Sequence, residues 1–155
     1  MRWAVRGLLV LLLSCVTTTL AVPPKAPDAP IAKVISSDDI CFAWVIHDEA
    51  RGEPLTGQRA VYDVVKHRMT TRNLTACEVV KQKHQFSGYR RGMRLKADDA
   101  MLERLGEVRK VKPVVPNASY FHSKQVKPTW ASKMKRIFSI GGHVFYRNNP
   151  KEKQK

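Results

Sequence analysis

The sequence predicts a mainly α-helical domain of several packed helices with one small C-terminal β-hairpin. Three observations predict it. Helix-start residues at Ser37-Asp38-Asp39, Thr75-Ala76-Cys77-Glu78 and Asp98-Asp99 lead into segments with apolar residues at helical spacing. Gly141-Gly142 separates two short segments, 137–140 and 143–147, as a two-residue hairpin turn does. Hydrophobic residues make up 43% of the 155 and are spread along the chain, which suits one core and one domain.

The elements follow in order. Arg2 and Arg6 precede the apolar run 7–13, and Thr19-Leu20-Ala21 follows, so residues 1–21 read as an export signal. Cleavage after Ala21 is the first reading. Lipidation at Cys15, within Leu12-Leu13-Ser14-Cys15, and an uncleaved anchor that would hold the chain at a membrane are the alternatives. Residues 22–34 carry Pro23, Pro24, Pro27 and Pro30 and form a stiff linker. The domain spans 35–148.

Its first helix is expected from about Ile40 to Ala50, with Ile40, Ala43, Trp44 and His47 inward and Gly52 as a C-cap. Pro54 disfavours helical geometry at Glu53. A second helix fits 56–69, with Ala60, Val61, Val64, Val65 and Arg68 on one face. The capping-box pattern at Thr75–Glu78 starts a short third helix. Residues 85–94 have no apolar period and form a loop. A fourth helix starts at Asp98 or Asp99, with Ala100, Met101, Leu105 and Val108 inward. A connector at 112–117, an extended piece at 119–122, a helical turn at 130–136 and the hairpin complete the domain. Residues 149–155 are a basic tail.

Composition sets the partners. The net charge of +15, or +13 once Arg2 and Arg6 leave with the signal, draws anionic partners. Nucleic acid, acidic lipid and bacterial cell wall all qualify. Export argues against nucleic acid, as does the lack of a zinc-finger or RNP pattern. With the signal gone, Cys41 and Cys77 remain, a candidate disulfide in an exported domain. Two small buried thiols are the alternative.

Glu49 stands out by position. The negative end of the first helix's dipole points at it, and Trp44 and Ile46 place apolar bulk nearby. Both disfavour the ionised form. A carboxyl still protonated near neutral pH is what glycosidic cleavage requires, because the leaving oxygen must take a proton. Position alone also fits an exposed helix-end Glu paired with Arg51 or Arg68. Glu53, four residues on, is the rival carboxylate, or a supporting acceptor that holds the turn or orients Arg51.

The run His47-Asp48-Glu49-Ala50-Arg51-Gly52-Glu53-Pro54, then Gly57-Gln58 and Ala60-Val61, resembles the signature of the SleB-like, spore-cortex-lytic cell wall hydrolases. Val64-Val65 and Arg68 continue it, with Lys66-His67 where the family usually has Leu-Asn. Cys77-Glu78-Val79-Val80 with Gln85-Phe86-Ser87 resembles a second block. Ala118-Ser119-Tyr120-Phe121-His122 with Val126, Pro128 and Trp130 resembles a third, and Ile140-Gly141 with 143–146 a closing one. The blocks stand in family order over about 40–147.

The resemblance implies a lysozyme-like fold and cleavage of the β-1,4 bond between N-acetylmuramic acid and N-acetylglucosamine in peptidoglycan. It implies chemistry like that of lytic transglycosylases, with one catalytic carboxylate aligned to Glu49; no cofactor or metal is expected. If the muramic 6-hydroxyl attacks, no second enzyme carboxylate is needed. Between Pro54 and Ala97 the only other acids are Asp63 and Glu78. Gln85, Ser87 and Tyr89 suit hydrogen bonds to acetamido and hydroxyl groups. Tyr120 and Trp130 suit stacking on sugar faces or core packing. His122 suits contact with substrate or orientation of Glu49. His143 reads as a hairpin residue.

Rival classes stay in view. A metal amidase would need a ligand cluster, and His47, His67, His84, His122 and His143 form no His-Glu-x-x-His pair. A cysteine amidase would need Cys41 or Cys77 free. A non-catalytic cationic protein would bind wall or membrane. A monomer is expected. A phage endolysin and a bacterial remodelling enzyme both suit a small, basic, exported wall enzyme.

Overall fold

The computed structural model describes residues 34–83 and 85–148. The export signal expected at 1–21, the linker up to residue 33 and the tail at 149–155 lie outside the described residues. The domain runs α1 (Ser37–Ala50), α2 (Leu55–Arg72), α3 (Ala76–Val80), α4 (Asp99–Lys110), β1 (Tyr120–Ser123), a 3-10 turn (Thr129–Lys133), β2 (Lys135–Ile140) and β3 (His143–Arg147).

The N-terminus of α1 lies at Ser37, not Ile40, because the cap is Ser36, ahead of the expected Ser37-Asp38-Asp39 start. Ser36 Oγ accepts the Asp39 N–H at 3.1 Å, and Asp39 Oδ2 accepts the Ser36 N–H at 2.9 Å. Asp39 also meets Arg109 at the end of α4, with Nη2 to Oδ1 at 2.5 Å. Burial alone would raise this carboxyl, but the Ser36 and Arg109 contacts outweigh it and hold its pKa at about 2.

The helix is more deeply set than one inward face implies. Cys41, Phe42, Ala43, Trp44, Val45 and Ile46 are all buried. A helix apolar all round is a core helix, and α1 packs against α2, α3 and α4. His47 and Ala100, expected inward, are exposed. The helix ends at Ala50 without a left-handed glycine. Arg51 keeps right-handed geometry, and the Glu53 N–H closes the turn on the Ala50 carbonyl at 2.9 Å.

The expected face of α2, Ala60, Val61, Val64, Val65 and Arg68, is buried against that core. The helix runs past Met69 and stops at Asn73, whose φ of 52° turns the chain left-handed. Asp63 is buried and fully engaged. It pairs with Arg59 at 2.7 Å and accepts the Val114 and Val115 N–H groups at 2.6 and 3.0 Å. Thr75 caps α3 in a capping box with Glu78. Cys41 and Cys77 are joined in a disulfide that fastens α3 to α1. Asp38 strengthens that junction by accepting the Ala76 N–H at 3.0 Å.

The hairpin forms, with Gly141 at φ +54°, and gains a third strand. The order is β1-β3-β2, all antiparallel, so the buried β3 is central. Lys135 and Arg136, expected in a helical turn, already belong to β2, and a bulge beside Ile137 shifts the register.

Candidate active site

Glu49 lies in the last turn of α1, where the buried helix reaches the surface. It is half-buried, and Oε1 accepts the Ser87 N–H at 3.2 Å. Burial pushes the carboxyl up from its ordinary value, and the neighbouring Asp48 charge adds to the push. Hydrogen bonds from Ser87 and Gly88 oppose the rise without cancelling it. Asp48 folds against the same loop. Its Oδ2 would lie 1.9 Å from any Cβ placed on Gly88, so the glycine makes room for it.

The loop that faces Glu49 is anchored by Phe86, which is buried and packs toward Phe121 with ring centroids 6.3 Å apart. Tyr89 sets its ring edge-on to Trp44 of α1 at 6.5 Å. Glu49, Gln85, Ser87, Tyr89 and Phe121 thereby line a cavity of about 400 Å³. Tyr89 is shared with a second cavity of about 430 Å³ lined by Lys81, Lys83 and Arg91. Gln85 and Phe121 are shared with a third of about 520 Å³, which includes Arg68, Tyr120, His122 and Trp130. Through these shared residues the three cavities adjoin in a row that forms the candidate groove, with the cationic cavity at one end, the aromatic one at the other and Glu49 in the middle one. Glu49 is the one carboxylate among the described residues lining it.

The aromatic end is a built cluster. His122 Nε2 meets the Tyr146 hydroxyl at 2.9 Å, and Nδ1 meets the Ser123 carbonyl at 2.8 Å. If Nδ1 donates to that carbonyl, Nε2 of the neutral ring accepts the tyrosine proton. Trp130 packs against Tyr120, His122 and Tyr146 with centroids 5.6–5.7 Å away.

Glu53 and Arg51 go elsewhere. Both Glu53 oxygens accept the Gly142 N–H, at 3.0 and 2.9 Å, and Oε1 is 3.4 Å from His143 Nδ1. Glu53 thus holds the hairpin turn to the end of α1. His143 sets its ring against Phe121 at 5.3 Å, so the tie reaches the groove wall. Burial pushes the His143 pKa down, against the pull of Glu53. Arg51 is exposed and faces a separate cavity of about 280 Å³ with His47, Gln58 and Arg104. Glu53→Ala is expected to destabilise the domain by about 2 kcal/mol, because it strands the Gly142 donor. Glu53→Gln, which keeps one acceptor oxygen, should lose about half as much. Thermal melts of the two variants check the order.

Among groove residues, Phe121 has no role legible in sequence, Arg68 reads there only as a buried-face residue or a partner for Glu49, and Tyr146's link to His122 has no sequence signal. Pairing of β1 with β3 puts Tyr146 one diagonal step from His122, a contact that only tertiary structure reveals.

A helical domain with an open groove and one half-buried carboxyl midway has the form of an enzyme acting on an extended polymer. Residues 52–146 match the cell wall hydrolase family, and the chain belongs to it. Its substrate is accordingly peptidoglycan. The fold is similar to the catalytic domain of the germination-specific lytic transglycosylase SleB from Bacillus anthracis, at 24% identity and TM-score 0.61 over 76% of this chain and 100% of that one. It is also similar to the catalytic domain of Bacillus cereus SleB, at 26% identity and TM-score 0.58 over 74% and 94%. These likenesses bear out the α+β, lysozyme-like class. A comparison with curated proteins finds no match.

Proposed function

We propose that the chain cuts the glycan strand of peptidoglycan between N-acetylmuramic acid and N-acetylglucosamine as a lytic transglycosylase, with Glu49 as its one acid and base. The observation that carries this reading is the solitary carboxyl in the groove, raised by burial. The similarity to SleB catalytic domains, one of them described as a lytic transglycosylase, supports the same chemistry.

The steps balance with one carboxyl. Protonated Glu49 gives its proton to the glycosidic oxygen as the C1–O bond breaks. The N-acetylglucosamine side leaves with a free 4-hydroxyl. The muramic 6-hydroxyl then bonds to C1, and the Glu49 carboxylate takes the hydroxyl proton. A 1,6-anhydro ring forms, no water is consumed, and Glu49 returns to its acid form. Gln85, Ser87 and Tyr89 hold acetamido and hydroxyl groups beside the reacting bond. Tyr120 and Trp130 offer ring faces to the sugar further along, and His122 orients that wall. Glu53 acts at a distance, by fixing the hairpin behind Phe121.

Asp63 and Glu78 offer no second catalytic acid, since one is buried in an ion pair and the other closes a helix cap. The Cys41–Cys77 bridge leaves neither sulfur free for a cysteine amidase. The basic head and apolar run of residues 1–21 support export to the envelope, where the substrate lies, and the domain acts there as a monomer.

Digestion of purified peptidoglycan tests the bond. Soluble glycan fragments that still carry their stem peptides are expected. Release of free stem peptides with intact glycan would identify an amidase and end this reading.

A further inference from the structure

Arg68 is a buried cation without a counter-charge among the described residues. The residue is 3% exposed. Nε donates to the Ser119 carbonyl at 2.6 Å, and Nη1 is buried with no partner. Among the described residues no carboxylate lies within ion-pair distance of it. Phe86 and Tyr120 hold the guanidinium, their ring centroids 5.6 and 5.2 Å from it. Burial, with Arg72 nearby, depresses its pKa to about 10. A buried charge of this kind is retained at a cost unless something pairs with it.

Its place in the groove says what that partner is. Arg68 lines the aromatic-end cavity with Gln85 and His122, and that cavity shares Gln85 and Phe121 with the one holding Glu49. With Nε engaged and Nη1 unpartnered, the guanidinium keeps donor capacity for an incoming acceptor. We propose that this end of the groove is a carboxylate subsite, in which Arg68 receives an acid group of the bound glycan. The inference rests on the glycan-strand reading above. Two sources carry that chemistry: the lactyl carboxylate of a peptide-free muramic acid, and the free carboxylates of a stem peptide. The subsite separates muramic-acid glycans from neutral ones of the same backbone, such as chitin.

Calorimetric binding to the Glu49→Gln protein, which does not consume its ligand, tests this. Three tetrasaccharides serve as probes: a peptide-free muramic glycan, the same glycan with stem peptides, and chitotetraose. At least one muramic ligand should bind about tenfold more tightly than chitotetraose. Preference for the peptide-free ligand assigns the lactyl source, and preference for the peptide-bearing ligand alone assigns the stem. Arg68→Met in the same background should remove the preference and leave chitotetraose within about twofold, and Arg68→Lys should restore part of it. Capping the ligand's carboxylates as methyl amides gives the same loss on unaltered Arg68, so the test survives a variant that fails to fold. Equal binding of all three glycans, a preference that outlives Arg68→Met, or equal weakening of every ligand would overturn the subsite. Binding of no glycan at all would instead overturn the glycan-strand reading, and the subsite with it.

Discussion

Glu49→Gln is expected to lower kcat on peptidoglycan roughly 1,000-fold or more while the domain stays folded. A single general acid or base typically supplies about 10²–10⁴ in rate, and here one group serves both steps. Glutamine keeps the shape and the Ser87 hydrogen bond but cannot release a proton. The pH dependence follows from the direction of the shift. Activity should fall as pH rises through the elevated Glu49 pKa, because the proton donor disappears. Stability moves with the same sign. The folded carboxyl holds its proton to higher pH than the unfolded one, so the native state binds more protons between the two values. The Glu49 contribution is therefore fully present below the unfolded pKa and declines as pH rises through the folded one. Glu49→Gln should melt at or above the parent temperature near neutral pH. Turbidity clearance of a wall suspension and thermal melts over a pH series check both. A variant that clears at more than a tenth of the parent rate would remove Glu49 from the chemistry.

Replacing both bridge cysteines, as Cys41→Ser with Cys77→Ser, should cost about 4 kcal/mol from the loop entropy of a bridge spanning 36 residues. For a domain of this size the melting temperature would fall by roughly 10–20 °C. Asp38 to Ala76 and Asp39 to Arg109 still tie α1 to α3 and α4, so the domain should fold at low temperature and keep its kcat. The bridge sits on the N-terminal half of α1, and Glu49 on its last turn. Reduction of the parent protein should reproduce the drop. A melt within about 3 °C of the parent would mean that the restraint is supplied by these other contacts.

The parts of the fold legible in the sequence were those carried by local signals. The period Ala60, Val61, Val64, Val65 and Arg68 marks the buried face of α2, and the Thr75–Glu78 box marks α3. Gly141-Gly142 marks the hairpin because one of them must take positive φ. The burial of α1 was less legible. Its run from Cys41 to Ile46 is apolar without a gap, and a single-face reading of Ile40, Ala43 and Trp44 understates how many neighbours surround it. The extended piece at 119–122 was legible as such, but its pairing as a third strand, 120–123 against 143–146, was not, because that is a long-range choice with no local mark.

The site divides in the same way. Glu49 could be singled out from helix-end position and motif, and Gln85, Ser87 and Tyr89 from lying on one loop. That Arg51 and Glu53 turn away from Glu49 depends on a single turn closed by one backbone hydrogen bond. Glu53's partner, the Gly142 N–H, stands 89 residues on, a separation no local pattern reports. Arg68 looks in sequence like one more residue on an apolar face. Its lack of a counter-charge among the described residues emerges only when α2, the 85–91 loop and β1 are packed around it.

The chemistry at the cut end tests the central claim most directly. Mass spectrometry of the soluble fragments from purified peptidoglycan reads it without reference to rate. A 1,6-anhydro-muramic end is predicted, one water lighter than a hydrolysed end and resistant to borohydride reduction. It should be absent from digests with Glu49→Gln. Fragments ending in reducing N-acetylmuramic acid would show that water, not the sugar's own hydroxyl, attacks, and would contradict a single-carboxyl transglycosylase.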